Sequence, residues 1–237
     1  MWTYTPTYRY GSYFSAKTHE NDNLEKTLYE LFDFYFDVNN SVSEEYKSGF
    51  LTDIATFTNG LAMQKFRPKE NENGIPVLKI KELGQKSCDS SSDICSPSIN
   101  LDYLVNDGDV IFSWSGTLLV DIWCGGKCGL NQHLFKVTSN DYPLWFAYLW
   151  THNHLEKFIR IAKDKAVTMG HIKRVDLERA KVLIPKDDMM QKLDKIFAPI
   201  FYSCISVRVE NRKISAIRDS LLPKLMSGEL KVSDLKI

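Results

Sequence analysis

The chain has 237 residues, 43% of them hydrophobic, 25% charged and 12% aromatic, with thirty basic and thirty acidic side chains. That length suits one large domain, or a domain with an appendage, and the composition excludes a disordered or fibrous chain. The longest apolar stretch, Tyr142 to Ile161, is broken by His152, Asn153, His154, Glu156 and Lys157, which excludes the roughly 18 apolar residues of a membrane span. The N-terminal residues lack the basic start and apolar run of a signal peptide, and the odd number of cysteines fits a reducing compartment, so a cytoplasmic protein is expected.

Residues 1–21 carry no assignable element. From Asp22 the apolar residues Leu24, Leu28, Leu31, Tyr35 and Val38 step by four, three, four and three, which keeps them on one helical stripe. Asp22 with Glu25 resembles a capping box, and Asn39 to Ser41 suit a helix end, so the spacing predicts a helix within residues 22–46. Phe32, Phe34 and Phe36 widen its apolar face, and something large must cover it.

Between residues 47 and 186 the pattern changes to short apolar runs, Ile75 to Ile80, Asp109 to Trp114, Leu119 to Trp123 and Leu134 to Val137, which read as strands. Asn73-Gly74, Asp107-Gly108, Ser115-Gly116 and Gly125-Gly126 mark turns, while Leu144 to Ile161 and Val175 to Arg179 read as helical. This is a mixed α/β (α+β) globule. Residues 187–237 bring a third pattern, in which Leu193, Ile200, Val207, Ile214 and Leu221 recur every seven residues. They predict a long coiled-coil helix that reaches Met226, with Gly228 as its stop and a kink or a late start at Pro199.

A rod of this kind needs a partner helix, and the predicted N-terminal helix covers less than half of it. The pattern therefore predicts a second copy of the chain, or another subunit, along Leu24, Leu28, Leu31, Leu193, Ile200, Val207, Ile214 and Leu221. The alternative is that both helices pack on their own globule.

The residues that enzymes need are largely missing. There is no GxxxxGK[ST] loop, no GxGxxG, no GxSxG elbow and no HExxH, nor the glycine-rich and Asn-Pro-Pro-aromatic motifs of adenine methyltransferases. Ser113, Ser115, His133 and Asp121 are close in sequence, but a triad is made in space. Cys88, Cys95, Cys124 and Cys128 lack the paired knuckles of a zinc ribbon, and His152 and His154 fall on different helix faces, so no metal site is expected.

Charge is uneven along the chain, with nine basic against four acidic residues between 151 and 186. This concentration is either a solvated face or a surface that meets phosphates. Lys165, Thr168, His171, Lys173 and Arg174, around Gly170, suit a loop that tracks a nucleic-acid backbone, while Gln64 and Arg67 are types that pair bidentately with adenine and guanine. Polarity and loop position add Lys79, Ser115, Thr117, Lys127, Asn131 and His133 as candidate DNA contacts.

Three parts of the chain carry a resemblance: Leu51-Thr-Asp-Ile-Ala-Thr-Phe-Thr-Asn-Gly60 with Gly74-Ile-Pro-Val-Leu-Lys-Ile80; Gly108-Asp-Val-Ile-Phe-Ser-Trp-Ser-Gly116; and Gly170-His-Ile-Lys-Arg-Val-Asp-Leu177 before Val182-Leu-Ile-Pro185. Their order resembles a target recognition domain of type I restriction-modification specificity subunits. The tail Arg218 to Leu230 is similar to that family's conserved C-terminal helix end, and Leu24 to Val38 to its central conserved helix.

The resemblance implies a non-catalytic protein that reads half of a bipartite double-stranded DNA site and docks methyltransferase and restriction subunits. S-adenosylmethionine, ATP and magnesium would belong to those partners. A complete member has two recognition domains, so this chain resembles a half subunit, and a dimer would read an interrupted palindrome. Two other readings stay open: a nuclease fragment using Asp107, Asp109 and Glu82 with Lys81 around magnesium, and a coiled-coil scaffold without a DNA role.

Overall fold

A computed structural model describes residues 7–36, 45–164 and 170–230, with side chains from residue 20 onward. Helix α1 (Thr7–Phe36) leads into strand β1 (Tyr46–Phe50), the short helix α2 (Leu51–Ile54) and β2 (Thr56–Asn59). There follow β3 (Ile75–Leu78), α3 (Ile80–Gln85), β4 (Ile94–Cys95), β5 (Leu104–Val105), β6 (Val110–Ser113), β7 (Leu119–Ile122), β8 (Cys128–Leu130) and β9 (Leu134–Thr138). Helices α4 (Leu144–Asn153), α5 (Leu155–Asp164) and α6 (Arg174–Glu178) then precede β10 (Lys181–Pro185) and the long α7 (Asp187–Met226).

The strands make three small sheets, β1-β10, β2-β9-β6-β7 and β4-β3-β8-β5. Every pair is antiparallel except β3 with β8. The β1–β10 pair runs from Tyr46 opposite Pro185 to Phe50 opposite Lys181, so the chain enters and leaves the globule side by side, and both connected helices leave from one neck.

Helix α4 is the centre of the core. Its residues from Trp145 to Thr151 are all buried, so it has no polar face, as befits a helix enclosed on every side. The predicted helix from Leu144 to Ile161 is in fact two, separated at His154, because α5 follows a different rule. It buries Phe158 and Ala162, four residues apart, and turns Lys157, Arg160 and Lys163 outward. Trp145 stacks on Phe197 with ring centroids 4.4 Å apart and donates its indole N–H to Asp194 at 2.8 Å, which fixes the start of α7 on the domain.

Helix α1 begins at Thr7, fifteen residues before the predicted N-cap at Asp22. The apparent capping box fails because Glu25 is already engaged, accepting from Asn21 on its own helix and from Arg208 on α7. Leu28, Phe32 and Phe36 form its buried stripe, with Leu24, Leu31 and Tyr35 half-buried beside them, while Val38 lies outside the described residues.

Helices α1 and α7 run antiparallel. Arg208 meets Glu25, and eleven residues further along α1 Phe36 meets Phe197, eleven residues back along α7. Continued at that stride the register sets Thr7 opposite Met226. This corrects the expectation that the N-terminal helix covers less than half of the rod: α1 accompanies α7 along most of its length.

The heptad residues follow suit. Leu193 and Val207 are buried within this chain and Ile200 is half-buried, with Phe197, Phe201 and Cys204 completing the buried face. Ile214 and Leu221 are half-buried, whereas Ile217, Leu222 and Met226 further along α7 stay exposed. The helix passes through Pro199 without starting there, since the ring sits on an exposed face and the surrounding residues are anchored on both sides of it.

Candidate nucleic-acid interface

One end of the β2-β9-β6-β7 sheet gathers polar and aromatic side chains from four separate loops. Asn59 closes β2, Trp114 and Ser115 follow β6, Asn131 to His133 precede β9, and His171 comes from the segment after Gly170. Backbone bonds hold the loops together. Gly116 N donates to Gly170 O at 3.0 Å, Ile172 N to Trp114 O at 3.1 Å, and Asn131 N to Leu78 O at 3.1 Å.

Close approach is built into the sequence at two glycines. A Cβ on Gly60 would come within 2.2 Å of the Asn131 carbonyl oxygen, and Gly116 turns the chain with φ of +66°, a conformation that side-chain-bearing residues rarely adopt.

Trp114 is the centre of the cluster. Its indole N–H donates to Asn59 Oδ1 at 3.0 Å, and its ring lies 6.2 Å from His133, 5.7 Å from Phe135 and 6.3 Å from His171. His133 Nδ1 shares a 3.0 Å hydrogen bond with Ser115 Oγ, while Gln132 approaches its Nε2 at 3.4 Å. Asn131 Oδ1 accepts from His133 N at 3.2 Å. Asn131 and Ser115 are buried, so they shape the loops, whereas Asn59, Thr117 and His171 are exposed at the rim.

Beside this cluster, across the Leu61–Asn131 bridge, lies a shallow groove lined by Met63, Gln64, Arg67, Val77, Asp93 and Ile94. Gln64 and Arg67 are exposed, and Lys79 forms an ion pair with Asp93 at its edge. The Lys79 ammonium holds the Asp93 carboxyl below the usual carboxylate range. Lys173 and the exposed Arg174 open α6 next to His171. Of the residues nominated from the sequence, the fold brings together Gln64, Arg67, Lys79, Ser115, Thr117, Asn131, His133, His171, Lys173 and Arg174. Lys165 and Thr168 lie outside the described residues.

Lys127 is not part of this surface. Thr117 precedes β7 and Lys127 follows it, so the strand carries Lys127 to the far end of the sheet. There Gly126 N donates to Asp107 Oδ1 at 2.8 Å, and Arg212 of α7 grips both oxygens of Asp107 at 2.6 and 2.8 Å. Burial works against the Asp107 charge, but Arg212 and the Gly126 amide outweigh it and hold the carboxyl below its usual range.

One turn earlier on the rod, Arg208 bonds Asp121 Oδ1 at 2.6 Å, Ile122 O at 2.8 Å and Glu25 Oε1 at 2.6 Å. These two arginines clamp the rod to the globular domain. The sequence pattern missed them because their partners are far away in the chain.

The carboxylates nominated for a magnesium site are each occupied elsewhere. Asp107 belongs to Arg212, Asp109 pairs with Lys136 at 2.8 Å, and buried Glu82 accepts from Lys79 N at 3.2 Å and Ser92 Oγ at 3.1 Å. Lys81 donates to Ser91 Oγ at 2.7 Å. Among the described residues no group of three His, Cys, Asp or Glu side chains is placed to hold a metal ion. All five cysteines are free thiols, with Cys88 and Cys128 sulfurs 3.5 Å apart.

Residues 43–217 match the type I restriction modification DNA specificity domain. The chain belongs to that family. Among curated relatives it is 29% identical to the type I restriction enzyme MjaIX specificity subunit of Methanocaldococcus jannaschii, over 92% of this chain and 56% of that protein. It is 22% identical to the type I restriction enzyme EcoBI specificity subunit of Escherichia coli, over 82% of this chain and 41% of that protein. The fold is that of the type I restriction-modification system S subunit from M. genitalium, with a TM-score of 0.54 at 14% identity, covering 92% of this chain and 56% of the other. The chain thus spans about half the length of the specificity subunits it matches.

Asn59, Trp114 and Gln132 lie in this cluster but were not among the residues nominated from the sequence. Asn59 and Trp114 both lie inside the stretches that carry the family resemblance, but Asn59 opens a polar loop in the sequence and Trp114 reads as the end of a strand. Only the pairing of β2, β9 and β6 sets them side by side.

Proposed function

We propose that this chain is a DNA-recognition module of a type I restriction-modification system, which reads one half of a bipartite double-stranded target and carries no catalytic residues of its own. The observation that supports it is the convergence of side chains from four loops, with hydrogen-bonding and aromatic groups in the middle and Lys173, Arg174 and the cationic face of α5 alongside. Base edges are read by the former types and phosphates by the latter. The clamped rod would hold this surface at a set distance from a second recognition domain, on a second copy of the chain. Exposed Ile217, Leu222 and Met226 on distal α7 supply apolar surface for another subunit.

The partners on this reading are adenine methyltransferase subunits and a restriction subunit, which would bring S-adenosylmethionine, ATP and magnesium, in the cytoplasm where the DNA is. No described helix is long and apolar enough to cross a membrane.

Co-expression with the cognate methyltransferase, followed by mapping of N6-methyladenine in host DNA, tests the proposal. A bipartite methylated motif is expected: an interrupted palindrome if two copies pair, an asymmetric one if the second domain is different. A soluble complex that leaves the methylation pattern unchanged would refute it.

A further inference from the structure

Two of the five cysteines meet at the end of β8 opposite to Asn131. Cys88 follows α3 and Cys128 opens β8, 40 residues apart in the chain, yet their sulfurs lie 3.5 Å from each other. Both are held in place. Cys128 pairs with Val105 of β5 and is fully buried. Around Cys88, Ser87 N donates to Glu82 O at 3.2 Å, Asp89 N donates to Ser92 Oγ at 3.1 Å, and Lys86 pairs with Asp121 at 3.4 Å. The sulfur contact is therefore fixed by the fold on both sides.

The two thiols differ as a nucleophile and a resolving partner differ. Cys88 is half-buried, whereas the other four cysteines are buried. The proton offered by Cys128 and the Ser92 hydroxyl hold the Cys88 thiol below its ordinary range, against burial and the charges of Glu82 and Asp89. Burial pushes Cys95, Cys124 and Cys204 the other way, to about 11 each. An oxidant thus meets one accessible, ionisable sulfur with a second thiol beside it. A disulfide needs its sulfurs about 2.0 Å apart, which leaves about 1.5 Å for side-chain rotation to close.

We propose that Cys88 and Cys128 form a peroxide-responsive modification site, which closes to an intrachain disulfide and fastens the turn after α3 to β8. The inference does not rest on the DNA-reading function. The Cys88 thiolate attacks one oxygen of hydrogen peroxide, the O–O bond breaks, and the departing hydroxide takes a proton to leave as water. The resulting Cys88 sulfenic acid is attacked by the Cys128 sulfur, the S–S bond forms, the S–O bond breaks, and the second water leaves with the Cys128 proton. Two thiols are oxidised by two electrons and one peroxide is reduced to two waters. In a reducing compartment such a bond is transient, because a small thiol reopens it by exchange. The same turn reaches the groove, since Ser92 bonds Glu82 and the adjoining Asp93 pairs with Lys79 at the groove's edge. Oxidation ties that wall of the groove to the sheet.

The test treats the reduced full-length chain with hydrogen peroxide, blocks remaining thiols and maps the products by peptide mass spectrometry. Wild type should lose two of its five thiols as a Cys88–Cys128 cross-link within one chain, and dithiothreitol should restore both. Cys128→Ser should stop at the sulfenic acid, which dimedone labels at Cys88, and Cys88→Ser should form no cross-link. The oxidised wild type should melt about 5 to 15 °C above the reduced protein, because the bond closes a long loop of the unfolded chain. Should Cys128→Ser fail to fold, the wild-type cross-link and the half-buried Cys88→Ser variant decide the matter. Peroxide that drives Cys88 of wild type to sulfinic acid without a cross-link would overturn the inference, as would a bond between two chains or to Cys95. An unchanged melting temperature after complete closure would overturn the fastening of the turn.

Discussion

Replacing Arg208 with methionine is the sharpest test of how the rod is held. The guanidinium makes four hydrogen bonds, two to Glu25 Oε1 at 2.6 and 3.0 Å, one to Asp121 Oδ1 at 2.6 Å and one to the Ile122 carbonyl at 2.8 Å. Its side chain is 9% exposed, and those of Glu25 and Asp121 are 19% and 11% exposed, so solvent screens the network little. Methionine refills most of the volume, and the loss comes mainly from two carboxylates left without their cation.

Breaking a buried pair in this way costs roughly 3–5 kcal/mol. Asp121 keeps Lys86 at 3.4 Å and the Ile122 amide at 2.8 Å, so the lower end, about 3 kcal/mol, is expected. The assay is urea denaturation at constant m-value. The Arg208→Met, Glu25→Leu double variant should lose less than the single one, because the stranded charge on α1 is gone. A single-variant loss below about 1 kcal/mol, or a double variant no better than the single, would refute the account.

Arg212→Met offers the contrast: its pair with Asp107 is 34% and 29% exposed, so a loss of about 1 kcal/mol that shrinks with added salt is expected in the same titration. Burial pushes both His152 and His154 below their ordinary range, against carboxylates that pull His152 up and the Lys181 carbonyl that pulls His154 up. The folded state therefore resists protonating them, the unfolded chain binds more protons, and stability should hold above pH 6.5 and fall as pH drops from there through the folded values. A urea midpoint that does not move between about pH 7.5 and 5.5 would contradict this.

Val207→Asp buries a charge inside this chain, so it should destabilise the isolated protein by several kcal/mol at any concentration, read as a lowered melting temperature; an unchanged one would place Val207 outside the core. Lys173→Ala with Arg174→Ala should weaken DNA binding across sequences and flatten its salt dependence by about two contacts, and an unaltered salt slope would remove both from the phosphate surface.

Periodicity carried much of the architecture. The strand runs around Ile75, Val110, Leu119 and Leu134 became β3, β6, β7 and β9, because alternation and flanking turn residues are local signals. The heptads of α7 were equally plain. What they pack against was not, since a stripe of Leu193, Phe197 and Val207 looks the same whether its cover is a second chain or the chain's own core. The start of α1 was missed for a related reason: Asp22 and Glu25 have the spacing of a cap, and only the arrival of Arg208 shows that Glu25 serves another purpose.

By itself the sequence determined the fold class, the long helix that follows the globule, and the family. Those properties depend on residue types at short spacing. The tertiary structure alone decided which loops meet, with Asn59, Trp114, His133 and His171 drawn from positions far apart to one end of a sheet, and Lys127 sent to the other. It also decided that α1 accompanies α7, and that Arg208 and Arg212 fasten the rod to the domain. Contacts of that sort depend on strand pairing and helix register over the whole chain, and no local pattern encodes the partner at the far end.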